Sequence, residues 1–321
     1  MKDICWTLTS CAQLSILLEV SSPKPGNVNR LRRFSDTGYR HFLASASLMG
    51  RGLHLAAKRG IQVASSEIKP KDIGIGELIH ECSADVFGGL NKSNTILGTI
   101  LLYIPVVVAT AAALQEERRL SIDRLQKWIR IVLNNTSVED TLNVYRAFHL
   151  ANPGGVLNKE EQTWTDIHDR YDIENPNVLE NITKDDLTLR KLFSLSADVE
   201  PISKEWSDYF KLTLRKTYPY LNALSDSLEN LEEGIVRTFT WLLSYQPDGL
   251  IIKKAGLEKA KEIQQLAKEI ISAGHDESST EDLLDELDSI LRSDGNTLNP
   301  GTTADMVSVA ILLKLVEMTF N

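Results

Sequence analysis

Five stretches of this 321-residue chain place helix-breaking or small residues beside polar and charged ones. The first is Pro23-Lys24-Pro25-Gly26-Asn27. Its prolines fix φ on both sides of Lys24 and withhold two N–H donors, and Gly26 frees the chain to turn. The loop therefore reads as stiff and exposed, holding one ammonium in place, with Arg30, Arg32 and Arg33 close behind. Cations gathered in an acidic chain suit a polyphosphate; the plainer alternative is a solvated polyproline-type connector. The second is Asp36 ahead of a helix, where a carboxylate caps the helix or holds a metal. The third groups Asp85 with Asn91, Asn94, Thr95 and Gly98 at the opening of the most apolar run in the chain. Polar groups at a buried helix end need partners, which a ligand or their own capping supplies.

The fourth stretch, Pro247 to Gly256, sets Asp248 and the pair Lys253 and Lys254 around a short apolar run. With the next helix read as starting near residue 255, both lysines fall at a helix start, a place the dipole disfavours unless an anion is bound. The fifth is Asn299-Pro300-Gly301-Thr302-Thr303-Ala304-Asp305, entering the last helix. Gly301, Thr302 and Thr303 offer first-turn amides for an anion, and Asp305 lies one turn in. Asp248 and Asp305 each lie beside a glycine-containing turn and near candidate phosphate donors, so both are expected to be more than caps. The loops at 23–30, 91–95, 248–256 and 299–305 are expected to meet at one pocket.

The elements that must position these residues are helical. Apolar positions recur at helical spacing and strand alternation is scarce, so the expectation is one all-α domain over 1–321 with a loop-rich insertion at 156–203. Asp3 is a candidate N-cap for a first helix carrying Ile4, Leu8 and Cys11 inward. A second helix should start near residues 35–37 and run to Gly60, a third should bury Ile75 to Val86, and Thr136 to Glu139 reads as a capping box. The run Ile96 to Leu114 is nearly long enough to span a bilayer. Thr99, Tyr103, Pro105 and Thr110 inside it favour a helix buried on all faces.

Hydrophobic residues make up 42% of the chain and the net charge is −9, which supports a large core and argues against a general nucleic-acid or anionic-membrane binder. Three cysteines without paired spacing suggest thiols in a reducing cytoplasm, and the N-terminus shows no secretory pattern. A homo-oligomer is compatible with this pattern. Asp282, Asp285 and Asp288 repeat every three residues opposite a leucine stripe, so they read as a solvated face. No GxSxG, Walker loop, HExxH or GxGxxG occurs.

In order, these stretches resemble the triphosphoribosyl-dephospho-coenzyme-A synthase family. Glu19-Val20 with Pro23 to Gly26 match its first loop, Asn94, Thr95, Leu97 and Gly98 an Asn-Thr…Leu-Gly element, and Asn299 to Asp305 its closing motif. Asp248, Lys254 and Gly256 fit a further element in part. Asn29 stands where a carboxylate is usual, residues 34–39 lack a histidine, and Ala151 to Gly155 is similar to the divergent archaeal-type branch. The resemblance implies an all-α enzyme that moves triphosphoribose from ATP to the 2′-hydroxyl of dephospho-CoA with release of adenine. It implies Lys24, Gly26, Asn27, Arg30, Asn94, Thr95, Lys254 and Gly301 to Thr303 around the substrate, magnesium on Asp36, Asp85, Asp248 and Asp305, and Asp36, Asp248 and Asp305 as catalytic candidates. Another all-α magnesium–diphosphate enzyme and a non-catalytic nucleotide-binding protein are the rival readings.

Overall fold

A computed structural model describes residues 3–89, 96–151, 165–273 and 277–321. Among them there is helix and no strand. The first half runs through α1 (Ile4–Ser21), α2 (Tyr39–Leu48), α3 (Gly50–Ala64), α4 (Ile75–Phe87), α5 (Leu97–Glu117), α6 (Ile122–Asn134) and α7 (Val138–Ala151). Four short helices follow: α8 (Asp166–Arg170), α9 (Val178–Lys184), α10 (Leu189–Leu195) and α11 (Pro201–Ser207). The chain closes with α12 (Tyr218–Leu224), α13 (Leu231–Tyr245), α14 (Gly249–Ala255), α15 (Leu257–Ala273), α16 (Glu277–Arg292) and α17 (Gly301–Phe320).

The core forms around α5 and α17, whose apolar residues face inward on every side. Each buried Val, Leu or Ile there contributes about 1.5–3 kcal/mol, so no polar face is needed. Two described helices, Ile4–Ser21 and Leu97–Glu117, are long and apolar enough to cross a membrane, but 94% of the second is buried inside the protein. Close helix contact depends on small residues in α3: a Cβ on Gly60 would stand 2.2 Å from the Val108 carbonyl oxygen of α5. Tyr103 of α5 ties three helices together, bonding Ser15 of α1 and the Ser308 carbonyl of α17, each at 2.8 Å.

Pro105 lies inside α5 and has no N–H for the Leu101 carbonyl one turn back. The indole N–H of Trp206 on α11 donates to that carbonyl at 3.2 Å, and the ring stacks on Phe193 of α10 at 4.5 Å. Trp206→Phe keeps the stacking and strands the carbonyl, which should cost about 1–3 kcal/mol in urea unfolding. Adding Pro105→Ala restores a backbone donor and should recover part of the loss. No recovery in the double variant would sink this account.

Several local expectations hold. Asp3 accepts from the Trp6 amide at 3.0 Å, and α4 ends at Gly88. Others shift. The second helix starts at Tyr39, so Asp36 caps nothing, and the chain bends at Met49 between α2 and α3. The box before α7 moves by one residue: Asp140 returns to the Ser137 amide at 2.7 Å while Ser137 Oγ accepts from the Asp140 amide at 3.1 Å. Asp140 also caps α4, accepting from the Gly76 amide at 2.7 Å. The described part of the expected insertion, 165–203, carries α8 to α10 and the start of α11, and buries Val178, Ile182, Leu189 and Phe193 in the main core. Its helices are too short for a periodic signal to rise above its polar composition.

Candidate active site

A cavity of about 1030 Å³ opens between the N-termini of α5, α11, α14 and α17 and the loop after α1. Its walls include Glu19, Asn27, Asp36, Gly98, Thr99, Glu200, Lys253, Lys254, Asn296, Asn299, Gly301, Thr302 and Asp305. Tyr145, Phe148, Tyr171 and Phe193 add an aromatic side. The loops at 23–30, 248–256 and 299–305 thus share one cavity. Asn94 and Thr95 lie outside the described residues, as do Pro153 to Gly155, while Gly98 beside the first pair is at the wall.

Asp305 is the acid most committed to this space. Thr99 Oγ1 donates to one of its oxygens, and the other lies so close to the Gly98 Cα that an added Cβ would stand 2.1 Å from it. Only glycine admits the carboxyl at that place. Burial drives its pKa well above the ordinary carboxylate range; the Thr99 hydroxyl opposes the rise, and nearby Glu19, Asp248 and Glu200 add to it. Glu19 and Glu200 are also raised, in both cases chiefly by burial. Three carboxyl groups that resist ionisation therefore border one space, a common signature of acid–base chemistry.

Glu200 precedes Pro201 and caps α11, accepting from the Ile202 amide at 3.1 Å and the Ser203 amide at 2.6 Å. Sequence reasoning passed over it, although a capping acid before a proline at the first helical position is a readable helix start. Across the cavity, burial lowers the pKa of Lys253 and Lys254; Asp172 and Asp36 respectively lead the charges that oppose this. Lys254 donates to the Asn296 carbonyl at 2.8 Å. Both lysines lie in the last turn of α14, where the dipole favours them, and not at a helix start: α14 begins at Gly249, six residues earlier than the pattern suggested. The side-chain oxygens of Asn296 and Asn299 are buried without a partner at the cavity wall, which is what a ligand-facing polar group shows.

Several expected ligands are occupied elsewhere. Lys24 is 0% exposed, with its ammonium 2.9 Å from Glu19 Oε1 and 3.2 Å from the Ser22 carbonyl. It is a buried ion-pair partner, not an exposed loop cation, because α16 covers the loop. Gly26, at φ 68°, donates to Asp288 at 2.7 Å, and a Cβ there would strike Leu291. Asp288 is correspondingly not part of a solvated face; it also holds Arg292 at 2.8 Å, and Arg292 reaches the Asn27 carbonyl at 2.5 Å. Arg30 forms a two-pronged ion pair with Glu232. Asp85 lies off the cavity wall and is clamped by Arg51 at 2.8 and 3.0 Å.

Asp248 is 1% exposed and accepts from four donors: the amides of Leu250 (2.8 Å), Ile251 (3.1 Å) and Thr303 (2.7 Å) and the Thr303 hydroxyl (2.7 Å). Its lone pairs are committed to capping α14 and α17 together, so the expectation that it is more than a cap does not fit this geometry. Two first-turn amides of α17 are likewise spent, Thr303 on Asp248 and Gly301 on the Asn299 carbonyl at 2.8 Å. Of the four expected metal ligands, Asp36 and Asp305 face the cavity.

The family profile described as ATP:dephospho-CoA triphosphoribosyl transferase (CitG) matches residues 5–321. Comparison with curated protein sequences gives no significant match. Among solved structures, a protein from Archaeoglobus fulgidus provisionally assigned as a triphosphoribosyl-dephospho-CoA synthase shares the fold with a TM-score of 0.58. That alignment is 23% identical and covers 86% of this chain and 98% of the other. With a match that spans almost its whole length, the chain belongs to the ATP:dephospho-CoA triphosphoribosyl transferase family.

Proposed function

We propose that the cavity binds ATP beside dephospho-CoA and passes the triphosphoribosyl group to the acceptor's 2′-hydroxyl. The bond from ribose C1′ to adenine N9 breaks and a C1′–O bond forms; the hydroxyl proton leaves with a base and adenine departs with a proton gained. The sugar passes through an oxocarbenium-like state, which carboxylates around it favour. Asp305 is the base, and its raised pKa beside Gly98 and Thr99 is the observation that carries this reading. Glu200 borders the same space and is protonated more readily than an ordinary acid, so it can supply adenine's proton, while Glu19 is held in its ion pair with Lys24. Lys253 and Lys254 meet phosphate charge, while Asn27, Asn296, Asn299 and Thr302 orient the nucleotides.

Magnesium bound with the triphosphate would offset part of its charge. Among the described residues no group of three or more His, Cys, Asp or Glu side chains is arranged to hold a metal. Magnesium commonly binds through one or two carboxylates plus substrate phosphates, and Asp36 and Asp305 fit that requirement. The free thiols of Cys5, Cys11 and Cys82 suit a reducing cytoplasm. The test is chromatographic assay of adenine from ATP and magnesium, with and without dephospho-CoA. Adenine that requires the acceptor supports the reading; none, or release indifferent to the acceptor, overturns it.

A further inference from the structure

The cavity described above is poorly suited to holding a whole polyphosphate. Its walls carry Glu19, Asp36, Asp172, Glu200 and Asp305 against the cations Lys253 and Lys254, so the acids outnumber the bases. Burial pushes Glu19, Glu200 and Asp305 towards the neutral form, and Lys253 and Lys254 stand against Asp36 and Asp172, so the deep wall offers a polyphosphate no surplus of cations. The phosphates must therefore lie towards whichever edge is positive.

One edge is. Residues Asn29 to His41 curl around a second hollow of about 660 Å³, and Phe34, Asp36 and Thr37 line both spaces, so the two adjoin. Arg30, Arg32, Arg33 and Arg40 line this hollow, against the one carboxylate of Asp36. Arg30 is neutralised by Glu232. Arg32, Arg33 and Arg40 are exposed, and among the described residues none has an acidic partner within ion-pair distance. In a chain with 44 acids and a net charge of −9, three adjacent unpaired guanidiniums are a charge arrangement the fold itself does not need.

The hollow is also held in shape. Asn29 accepts from the amides of Leu31 and Arg32, both at 2.9 Å, and its own amide donates to the Arg32 carbonyl at 3.0 Å. Phe34 donates to the Thr37 carbonyl at 2.9 Å and its ring is buried with Val28. The Gly38 amide donates to His41 Nδ1 at 3.0 Å. The arginines are thus presented from a fixed frame, which lowers the entropy lost on binding an anion. Asn29 carries no charge, which keeps a carboxylate out of the frame.

We propose that this basic hollow, through Arg32, Arg33 and Arg40, is the seat of a nucleotide polyphosphate that extends out of the cavity past Lys254. The inference rests on the proposed reaction for the identity of the nucleotides. Two sources share the chemistry: the triphosphate of ATP and the diphosphate of dephospho-CoA.

The test is calorimetric titration of the full chain and of the triple variant Arg32→Ala/Arg33→Ala/Arg40→Ala. The ligands are ATP, dephospho-CoA and inorganic tripolyphosphate, each at low and high salt. A control variant removes three exposed cations elsewhere, Arg119→Ala/Lys127→Ala/Lys191→Ala. The altered side chains are exposed, so circular dichroism and melting temperature should be unchanged. Loss of three charge-assisted contacts should weaken the affected nucleotide by roughly ten-fold or more, and the loss should shrink at high salt. The control should lose less than two-fold by the same logic of distant, screened charge. A loss confined to ATP assigns the seat to the donor; one confined to dephospho-CoA assigns it to the acceptor. Tripolyphosphate should compete with that nucleotide on the wild type and no longer bind the triple variant. Unchanged affinity of the triple variant for both nucleotides overturns the proposal. If tripolyphosphate binds through these arginines while the wild type releases no adenine, the reaction assignment fails and the seat stands.

Discussion

Asp305→Asn should abolish most of the turnover, by roughly a hundred-fold to ten-thousand-fold, the range a positioned general base contributes. Asparagine retains the shape and can still accept from Thr99 Oγ1, so the packing against Gly98 survives while the basic oxygen is lost. The pH profile gives an independent check. In the wild type, turnover should rise with pH on a limb centred above the ordinary carboxylate value of about 4, because burial raises this group's pKa; the variant's residual rate should lack that limb. Stability moves the other way. A carboxyl whose folded pKa is raised contributes its stability below the unfolded pKa and loses it as pH rises through the folded one, so the variant should be at least as stable as the wild type at neutral pH. Calorimetry with MgATP separates roles: a loss confined to turnover marks a base, and a steep loss of magnesium-dependent affinity marks a metal ligand. Wild-type turnover in the variant would remove Asp305 from the chemistry.

The second large effect concerns Lys24. Lys24→Ala should cost about 3–5 kcal/mol of folding stability, because it leaves Glu19 buried and uncompensated at the cavity wall. The sign with pH is fixed by Glu19. Its pKa is already raised by burial and would rise further without the ammonium, so the variant's deficit should be smallest below about pH 4.5 and should grow as pH rises through Glu19's folded pKa. Glu19→Gln in the same background should return part of the loss. Denaturant unfolding at several pH values provides the measurement. A variant that unfolds like the wild type yet binds ATP ten-fold more weakly would restore Lys24 as a phosphate ligand and contradict the buried-pair account.

Why Lys24 was misread from sequence shows where local reasoning stops. Prolines on either side do make a stiff turn, and Gly26 does take a positive φ, as the dipeptide chemistry demands. What decides exposure is α16, more than 260 residues away in sequence, which lays Asp288 and Leu291 against that turn. Helix bodies and most starts were legible because apolar spacing and caps such as Asp3 act within one or two turns. Asp248 was legible as a polar residue before Gly249 and an apolar run, but its second pair of donors on Thr303 was not. The lysines of α14 were placed at the wrong end because a seven-residue helix was merged into the start of the next one. Glu200, hidden in a polar stretch of short helices, was missed although its capping signal was local. Arg32 and Arg33 were legible as cations suited to a polyphosphate, but Arg40 was not, because only the concave course of residues 29–41 brings it beside them.

The double cap at Asp248 has a consequence for the order in which the molecule assembles. The carboxylate joins α14, which carries Lys253 and Lys254, to α17, which carries Asp305, across a separation of 55 residues. Closing a loop of that length costs roughly 3–4 kcal/mol in chain entropy, met only once both helix starts are in register. Contacts of that sequence separation tend to form after local helix. Cation and acid of the cavity are therefore brought into register in one event, after their helices have formed, and opening of this junction separates them together. Hydrogen exchange at the Thr303 amide reports that opening, while the amides in the middle of α5 report loss of the whole fold.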